Sequence, residues 1–328
     1  MTWPITLERP KDLAAATRRL AALGGKGAVL GGGLELLDMR NRPEILIPTR
    51  FLGPMSYIEV RSAEVRIGAA TTLGELVDSS SIRHYAWPLW EAARLVGSPQ
   101  IRAQATLAGN LLQRPRCWYF RNGFPCLKNG VEGCPAETGD NRHHAIFDGG
   151  PTYSVYHSDI GLVLHALQAT LAIATPEGDK VISMFDLYAD PKKDPAREHV
   201  LKPGEIIREI RFRQLDNRWV GTFLKVRDRR GFDFALASVA VTYNNYYGKF
   251  SSVRILLGAV APRAYVPQKS IDFLQNRKLN RSLLAPAADL SIEGAQPLAH
   301  NAYKVHLVRN LVMRALEKTY DRLSWKPD

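Results

Sequence analysis

Cysteine is scarce in this chain, with three in 328 residues, and all three lie between Cys117 and Cys134. An odd, clustered set excludes the closed disulfide framework of a small secreted domain. Long apolar runs are also missing. No uncharged stretch reaches the roughly 18 residues needed to cross a bilayer. The nearest one, around Ile160–Ala174, is broken by His165 and Gln168. The opening MTWPITLERPKDL has no basic flank followed by an apolar core, so no secretory signal is visible. The expectation is a cytoplasmic protein without a membrane span, or one exported only together with a partner. There is no internal repeat, no low-complexity tract, no GxGxxG fingerprint, no P-loop lysine and no nucleophile-elbow serine.

Acidic residues are outnumbered. Lys and Arg total 44 against 32 Asp and Glu, a formal net charge of +12. Such a balance attracts nucleic acid, acidic cofactors or acidic protein partners. The densest basic runs are KVRDRR at 225–230 and PKKDPAR at 191–197, and both contain acids. A nucleic-acid arm is normally a denser block of one sign, so no nucleic-acid partner is expected. With 45% hydrophobic and 23% charged residues, the composition is that of an ordinary globular protein, long enough for two domains.

The patterning is mixed. Pro10 to Leu23 reads as a helix stopped by Gly24-Gly25, followed by a short strand at Ala28–Leu30 and another at Glu44–Ile47. YIEVRSAEVRIG alternates as two strands turning at Ser62-Ala63, and Thr72-x-x-Glu75 is a capping box. Trp87–Val96 reads as a helix ended by Gly97. SDIGLVLHAL reads as a helix capped by Ser158 or Asp159, and Thr170–Met184 as a hairpin. Arg114 to His157 is a long irregular stretch that carries every cysteine, and a loop of that length usually has a job. A composition change near Arg213–Val220 precedes three strand-like runs and three helical runs. The order is α+β rather than a regular βαβ alternation. The apolar stripe Leu307, Val308, Leu311, Val312 and Ala315 predicts a core-facing helix, and Tyr243, Tyr246, Tyr247 and Phe250 predict sheet and turn packing.

Three segments carry candidate binding chemistry. Gly31-Gly32-Gly33 can expose backbone N–H groups to a pyrophosphate, since no Cβ blocks the approach, or can be a flexible turn. IGAATT (Ile67–Thr72) and ATLAGN (Ala105–Asn110) join small residues to hydroxyls. Loops of this kind suit the phosphates and polar ring edge of a dinucleotide, and equally a plain strand-to-helix turn. The cysteines read either as a disulfide with a spare thiol or as a metal or iron–sulfur site, because thiolates converge where a soft cation is held.

Taken in order, LGGGLELL, IGAATTLGEL, GSPQIRAQATLAGNL, HSDIGLVLHAL, FLKVRDRRGFDFALASVAV and LGAVAP resemble the FAD-binding medium subunit of the molybdenum hydroxylases, the family of xanthine dehydrogenase and carbon monoxide dehydrogenase flavoproteins. The resemblance covers about residues 5 to 320. It implies an α+β protein with a FAD-binding fold of the vanillyl-alcohol oxidase type in two subdomains, about 1–55 and 56–214, and a smaller C-terminal α+β domain at 215–328. It implies a first pyrophosphate loop at Leu30, Gly31, Gly32, Gly33, Leu34, Glu35 and Leu36. It implies a second at Thr106, Leu107, Ala108, Gly109 and Asn110, with Gly97 upstream. It implies an acidic FAD contact at Asp159 and a lysine near the flavin at Lys225, whose charge would favour the anionic reduced cofactor. The family pattern AGGTDLL is GGGLELL here, and TLGGN is TLAGN.

RCWYFRNGFPCLKNGVEGCPAETGDNRHHAIF resembles an insertion, at about 114–157, found in the 4-hydroxybenzoyl-CoA reductase and periplasmic aldehyde oxidoreductase flavoproteins. The resemblance implies an iron–sulfur cluster, [4Fe–4S] or [3Fe–4S], on Cys117, Cys126 and Cys134. The position of a fourth cysteine falls on Thr152, so His143, His144 or Asp148 is a candidate to complete the set. A zinc site with His143 or His144 is the alternative. The implied role is electron transfer among a large molybdenum-cofactor subunit, a small [2Fe–2S] subunit and an external, ferredoxin-like carrier. The rivals are a self-contained flavin oxidoreductase and a basic nucleic-acid module.

Overall fold

The structure is a computed structural model that describes residues 5–36, 43–229 and 231–324, for Ser324 the backbone only. Arg230, the end of one basic run, lies outside the described residues. The first sheet is parallel and small: β1 (Thr6–Leu7), β2 (Gly27–Leu30) and β3 (Ile45–Pro48), in the order β1-β3-β2. The helix Leu13–Leu23 joins β1 to β2, with the Asp12 carboxylate accepting the Ala15 N–H at 2.7 Å. That cap, rather than Pro10, sets the start of the helix.

The second sheet has five strands, β4 (Ile58–Arg61), β5 (Glu64–Gly68), β6 (Thr170–Thr175), β7 (Gly178–Ser183) and β8 (Ile206–Arg213), in the antiparallel order β4-β5-β8-β6-β7. Ser62 and Ala63 take positive φ at the predicted turn. Alternation places Val65 and Ile67 inward with no exposure. A third, antiparallel sheet follows in the order β11-β10-β9, from β9 (Trp219–Val226), β10 (Ala237–Tyr246) and β11 (Lys249–Gly258).

Two large cores and a small third cluster around Ala145, Val155 and Ala259 hold these layers. One large core joins the first two sheets to the helices Trp87–Leu95 and Asp159–Ala166. The other packs the third sheet against Gln268–Leu274, Leu284–Leu290 and Tyr303–Ser324, with Val308, Leu311, Val312 and Ala315 buried along the predicted stripe. Tyr243 and Phe250 are buried in the third sheet, whereas Tyr246 and Tyr247 are exposed at the hairpin tip.

Periodicity does not reveal every element. Residues 98–113 read as a run of small and hydroxylated residues, yet they form two short helices, Pro99–Gln104 and Leu107–Leu111. Each begins at a hydroxyl cap: Ser98 Oγ accepts the Ile101 N–H and Thr106 Oγ1 accepts the Gly109 N–H, both at 3.2 Å. The helix Ser80–Tyr85 starts the same way at Ser79. Capping chemistry defines these helices, which are too short to show an apolar stripe.

Candidate functional site

The three small-residue segments meet. A Cβ added to Gly32 would lie 1.7 Å from the Gln104 carbonyl oxygen, and one on Gly31 would lie 2.6 Å from Thr106 Oγ1. The triple glycine therefore presses directly on the 104–106 segment, a closeness that only glycine permits. Gly33 completes the turn with φ +79°. On the far side, the Leu107 N–H donates to Thr71 O at 2.8 Å and the Ala108 N–H to Ala69 O at 3.0 Å, so IGAATT closes on the same segment. Ala108 sits within the helix Leu107–Leu111, where an alanine carries no φ penalty. This accounts for alanine at a position where the family pattern has glycine.

Hydrogen bonds continue the set. Asn110 Oδ1 accepts the Ser158 hydroxyl at 2.7 Å, and Ser158 Oγ accepts the Gly161 N–H at 2.9 Å, capping the next helix. The adjacent Asp159 pairs with Lys225 Nζ at 2.7 Å, and the two side chains are only 6% and 2% exposed. Burial raises the Asp159 carboxyl above its ordinary range, and the Lys225 ammonium opposes that rise. Lys225 also donates to Leu95 O at 3.3 Å, two residues before Gly97, whose φ is +49°. Thus Gly31–Gly33, Gly97, Thr106–Asn110, Asp159 and Lys225 form one connected group. Leu30 ends β2 just before the glycines, and Leu34 is exposed.

Glu35 points elsewhere. Its carboxylate accepts Arg116 at 2.8 Å, Arg121 at 2.6 Å and the Arg114 backbone N–H at 3.2 Å. The first glycine loop, which continues to Leu36, is thereby tied to the cysteine loop, a link that glutamate's extra methylene helps to span. Between the two lie residues that the sequence alone does not single out. Arg116 stands 5.1 Å over the Phe234 ring, and His157 packs 5.3 Å from the same ring. His157 has a buried Nδ1 without a hydrogen-bond partner, and burial, aided by Arg116, pushes its imidazole down to about 3. The only sequence signal for His157 is its place beside Ser158-Asp159. Glycine turns, an amide, a buried ion pair and an unpartnered imidazole together fit a polar, anionic dinucleotide.

The cysteine loop is well anchored. Glu198 accepts Lys128 at 2.8 Å and Arg114 at 3.0 Å. On the other side Lys304, with no exposure, donates to His143 O at 3.0 Å, His144 O at 3.1 Å and Ala259 O at 2.9 Å. Within this frame Cys117, Cys126 and Cys134 are free thiols that line one cavity, together with Tyr119, Phe120, Lys128, Thr152 and Ser154. Burial pushes the Cys117 thiol up, against the Phe120 and Tyr119 N–H groups. His144 lies outside the cavity lining with Nε2 3.3 Å from Cys117 Sγ; His143 and Asp148 are exposed and do not line the cavity either. Among the described residues, no three His, Cys, Asp or Glu side chains are grouped to hold a single metal ion. No described helix is long and apolar enough to cross a membrane.

Comparison with known proteins gives the same picture at the level of the whole chain. The profile of the FAD binding domain in molybdopterin dehydrogenase matches residues 4–212, and that of the CO dehydrogenase flavoprotein C-terminal domain matches residues 222–319. The chain is 32% identical over 317 residues to the aldehyde oxidoreductase FAD-binding subunit PaoB of Escherichia coli, covering 94% of each. It is 25% identical over 321 residues to the carbon monoxide dehydrogenase medium chain of Hydrogenophaga pseudoflava, covering 95% of this chain and 96% of the other. The solved carbon monoxide dehydrogenase from that organism superposes with a TM-score of 0.77 at 24% identity, over 98% of this chain and 99% of that one, and so shares the fold. The chain therefore belongs to the FAD-binding medium subunits of the molybdenum hydroxylases, flavoproteins of molybdenum-containing oxidoreductases.

Proposed function

We propose that this chain is the electron-transferring flavoprotein of a molybdenum hydroxylase complex. In this reading Leu30–Leu36, Gly97, Thr106–Asn110, Asp159 and Lys225 hold the FAD. One observation carries it: segments far apart in the chain close on each other through Gly31, Gly32 and Thr106, and then run by hydrogen bonds to the Asp159–Lys225 pair. Bound FAD supplies single-electron exchange with iron–sulfur centres and two-electron exchange with other partners. The chain's own residues bind and orient. Backbone N–H groups of the glycine turn would hold phosphate, Lys225 would offset negative charge, and Asp159 holds Lys225 in place. We read residues 1–214 as the FAD-binding domain, in two subdomains that meet near residue 55, and 215–328 as the C-terminal domain.

The loop carrying Cys117, Cys126 and Cys134 is proposed to hold an iron–sulfur cluster. Three free thiols sharing one cavity support this reading, because thiolates converge where soft metal is held. The partners in this reading are a large molybdenum-cofactor subunit, a small [2Fe–2S] subunit and a ferredoxin-like carrier. The carrier would meet the exposed Trp118, Phe124 and Val131 of the cysteine loop, and the net charge of +12 favours an acidic one.

Anaerobic purification of the complex with flavin, iron, sulfide and zinc quantitation tests both halves. The expected result is FAD together with iron and sulfide, with Cys126→Ser losing the iron and keeping the flavin. A colourless chain that stays so when offered FAD would overturn the first half. Zinc without iron would overturn the second.

A further inference from the structure

The cavity lined by the three thiols is also lined by two buried hydroxyls. Thr152 and Ser154 both line it and are 3% and 4% exposed. Their oxygens stand 3.3 Å apart, and the Ser154 N–H reaches Thr152 Oγ1 at 3.5 Å. The pair is held in place from two directions. The Ala145 N–H donates to Tyr153 O at 2.9 Å, and Tyr156 exchanges hydrogen bonds with Ala259 and Ala261 at 3.1 and 2.8 Å.

We propose that Thr152 Oγ1 is the fourth ligand of the cluster in this loop, so that three irons are held by thiolate and one by oxygen. The inference rests on the cluster reading given above. Thr152 is favoured over Ser154 because both the hydroxyl and the N–H of Ser154 are placed to donate to Thr152 Oγ1. The Ser154 N–H lies 3.5 Å from that oxygen and the Ser154 hydroxyl, 3.3 Å away, can donate to it once it is deprotonated; both would stabilise the negative charge that it carries as a ligand.

His144 then has a different part. Its Nε2 lies against Cys117 Sγ, and its buried Nδ1 has no partner. The tautomer with hydrogen on Nε2 leaves only a lone pair unpaired, whereas the other buries an unmade N–H donor, which is the costlier arrangement. His144 is accordingly a positioning donor to the Cys117 sulfur.

An oxygen ligand is harder and less covalent than a thiolate, so the iron that it holds is the one to leave on oxidation. If ferricyanide took one electron from such a cluster, the oxygen-held iron would leave as ferrous ion, with Cys117, Cys126 and Cys134 holding the three irons that remain. Thr152 Oγ1 would then take a proton from solvent.

The test uses the full chain in its complex, loaded anaerobically, with iron-to-sulfide ratio, EPR and cluster midpoint potential as readouts. On titration with ferricyanide, the native protein is expected to lose about one iron in four and to develop the EPR signal of a three-iron cluster. Thr152→Cys, with four thiolates, is expected to keep all its iron under the same titration and to show a shifted potential. Thr152→Ser, which keeps the oxygen, is expected to behave as native, and Thr152→Val to carry the three-iron form from the outset. Equal retention of iron by the native protein and Thr152→Cys would overturn the proposal and leave the cluster reading intact. Absence of iron and sulfide from both would overturn the cluster reading and the proposal with it.

Discussion

Replacing Lys225 by methionine removes one half of a buried pair and keeps a flexible stem to fill the space. In the native chain Nζ lies 2.7 Å from Asp159 Oδ2, with the side chains 2% and 6% exposed. Stripping one partner from such a pair leaves an uncompensated buried charge and costs about 3–5 kcal/mol. The cost depends on pH in a definite direction. Burial already raises the Asp159 carboxyl, and loss of the ammonium raises it further. A carboxyl whose folded value stands above its unfolded value, about 3.9, favours the folded state fully below that unfolded value, and the benefit is lost as pH rises through the folded one. Lys225→Met is therefore expected to approach native stability in acid and to be weakest at neutral pH. Lys225→Met combined with Asp159→Asn removes the buried charge and is expected to recover most of the loss. Urea midpoints followed by tryptophan fluorescence between about pH 5 and 8, with flavin content measured in parallel, give the answer. A loss under about 1 kcal/mol with no pH dependence, or a double variant no better than the single one, would refute a buried, charged pair.

Gly32→Ala puts a Cβ 1.7 Å from the Gln104 carbonyl oxygen and forces the two loops apart; flavin affinity should fall by about tenfold or more, and full flavin retention on gel filtration would contradict the convergence. Glu91 accepts Thr222, Phe223, Lys318 and Arg322 at 2.8 to 3.0 Å. Burial alone would raise its carboxyl, but the Phe223 N–H and Lys318 hold it below the ordinary value. Its contribution is thus present above the unfolded value and lost as pH falls through the folded one, so Glu91→Gln should flatten the acid side of the stability curve, seen as a smaller gap between thermal midpoints at acid and neutral pH. Lys304→Met leaves the carbonyls of His143, His144 and Ala259 without their donor. A loss of at least about 2 kcal/mol and faster proteolytic cutting within residues 114–157 are expected, and unchanged cutting would show that the cysteine loop is anchored by other contacts.

Much of the fold was legible in short-range pattern. The alternation of Val65 and Ile67 and the stripe from Leu307 to Ala315 each reflect a period of burial imposed by one strand or helix, and the capping box at Thr72 reflects local hydrogen bonding. The helices at 80–85, 99–104 and 107–111 were not legible, because a helix of one or two turns announces itself by its cap and not by a period. The candidate binding segments were legible as residue types. Their meeting was not, since the contact between Gly32 and Gln104 spans long stretches of chain and leaves no local mark.

The amino-acid sequence by itself determined the α+β order, the glycine and hydroxyl loops, the cluster of thiols and the family to which they belong. These follow from local chemistry, such as φ freedom at glycine, capping by hydroxyls and the affinity of thiolates for soft metal. The tertiary structure alone decided which of these groups face one another. It paired Asp159 with Lys225, turned Glu35 toward Arg116 and Arg121, set His144 against Cys117 and brought Thr152 into the lining of the thiol cavity. Such juxtapositions depend on how two cores and three sheets close in space, and the energy of that closure is spread over many weak contacts that no single segment of chain encodes.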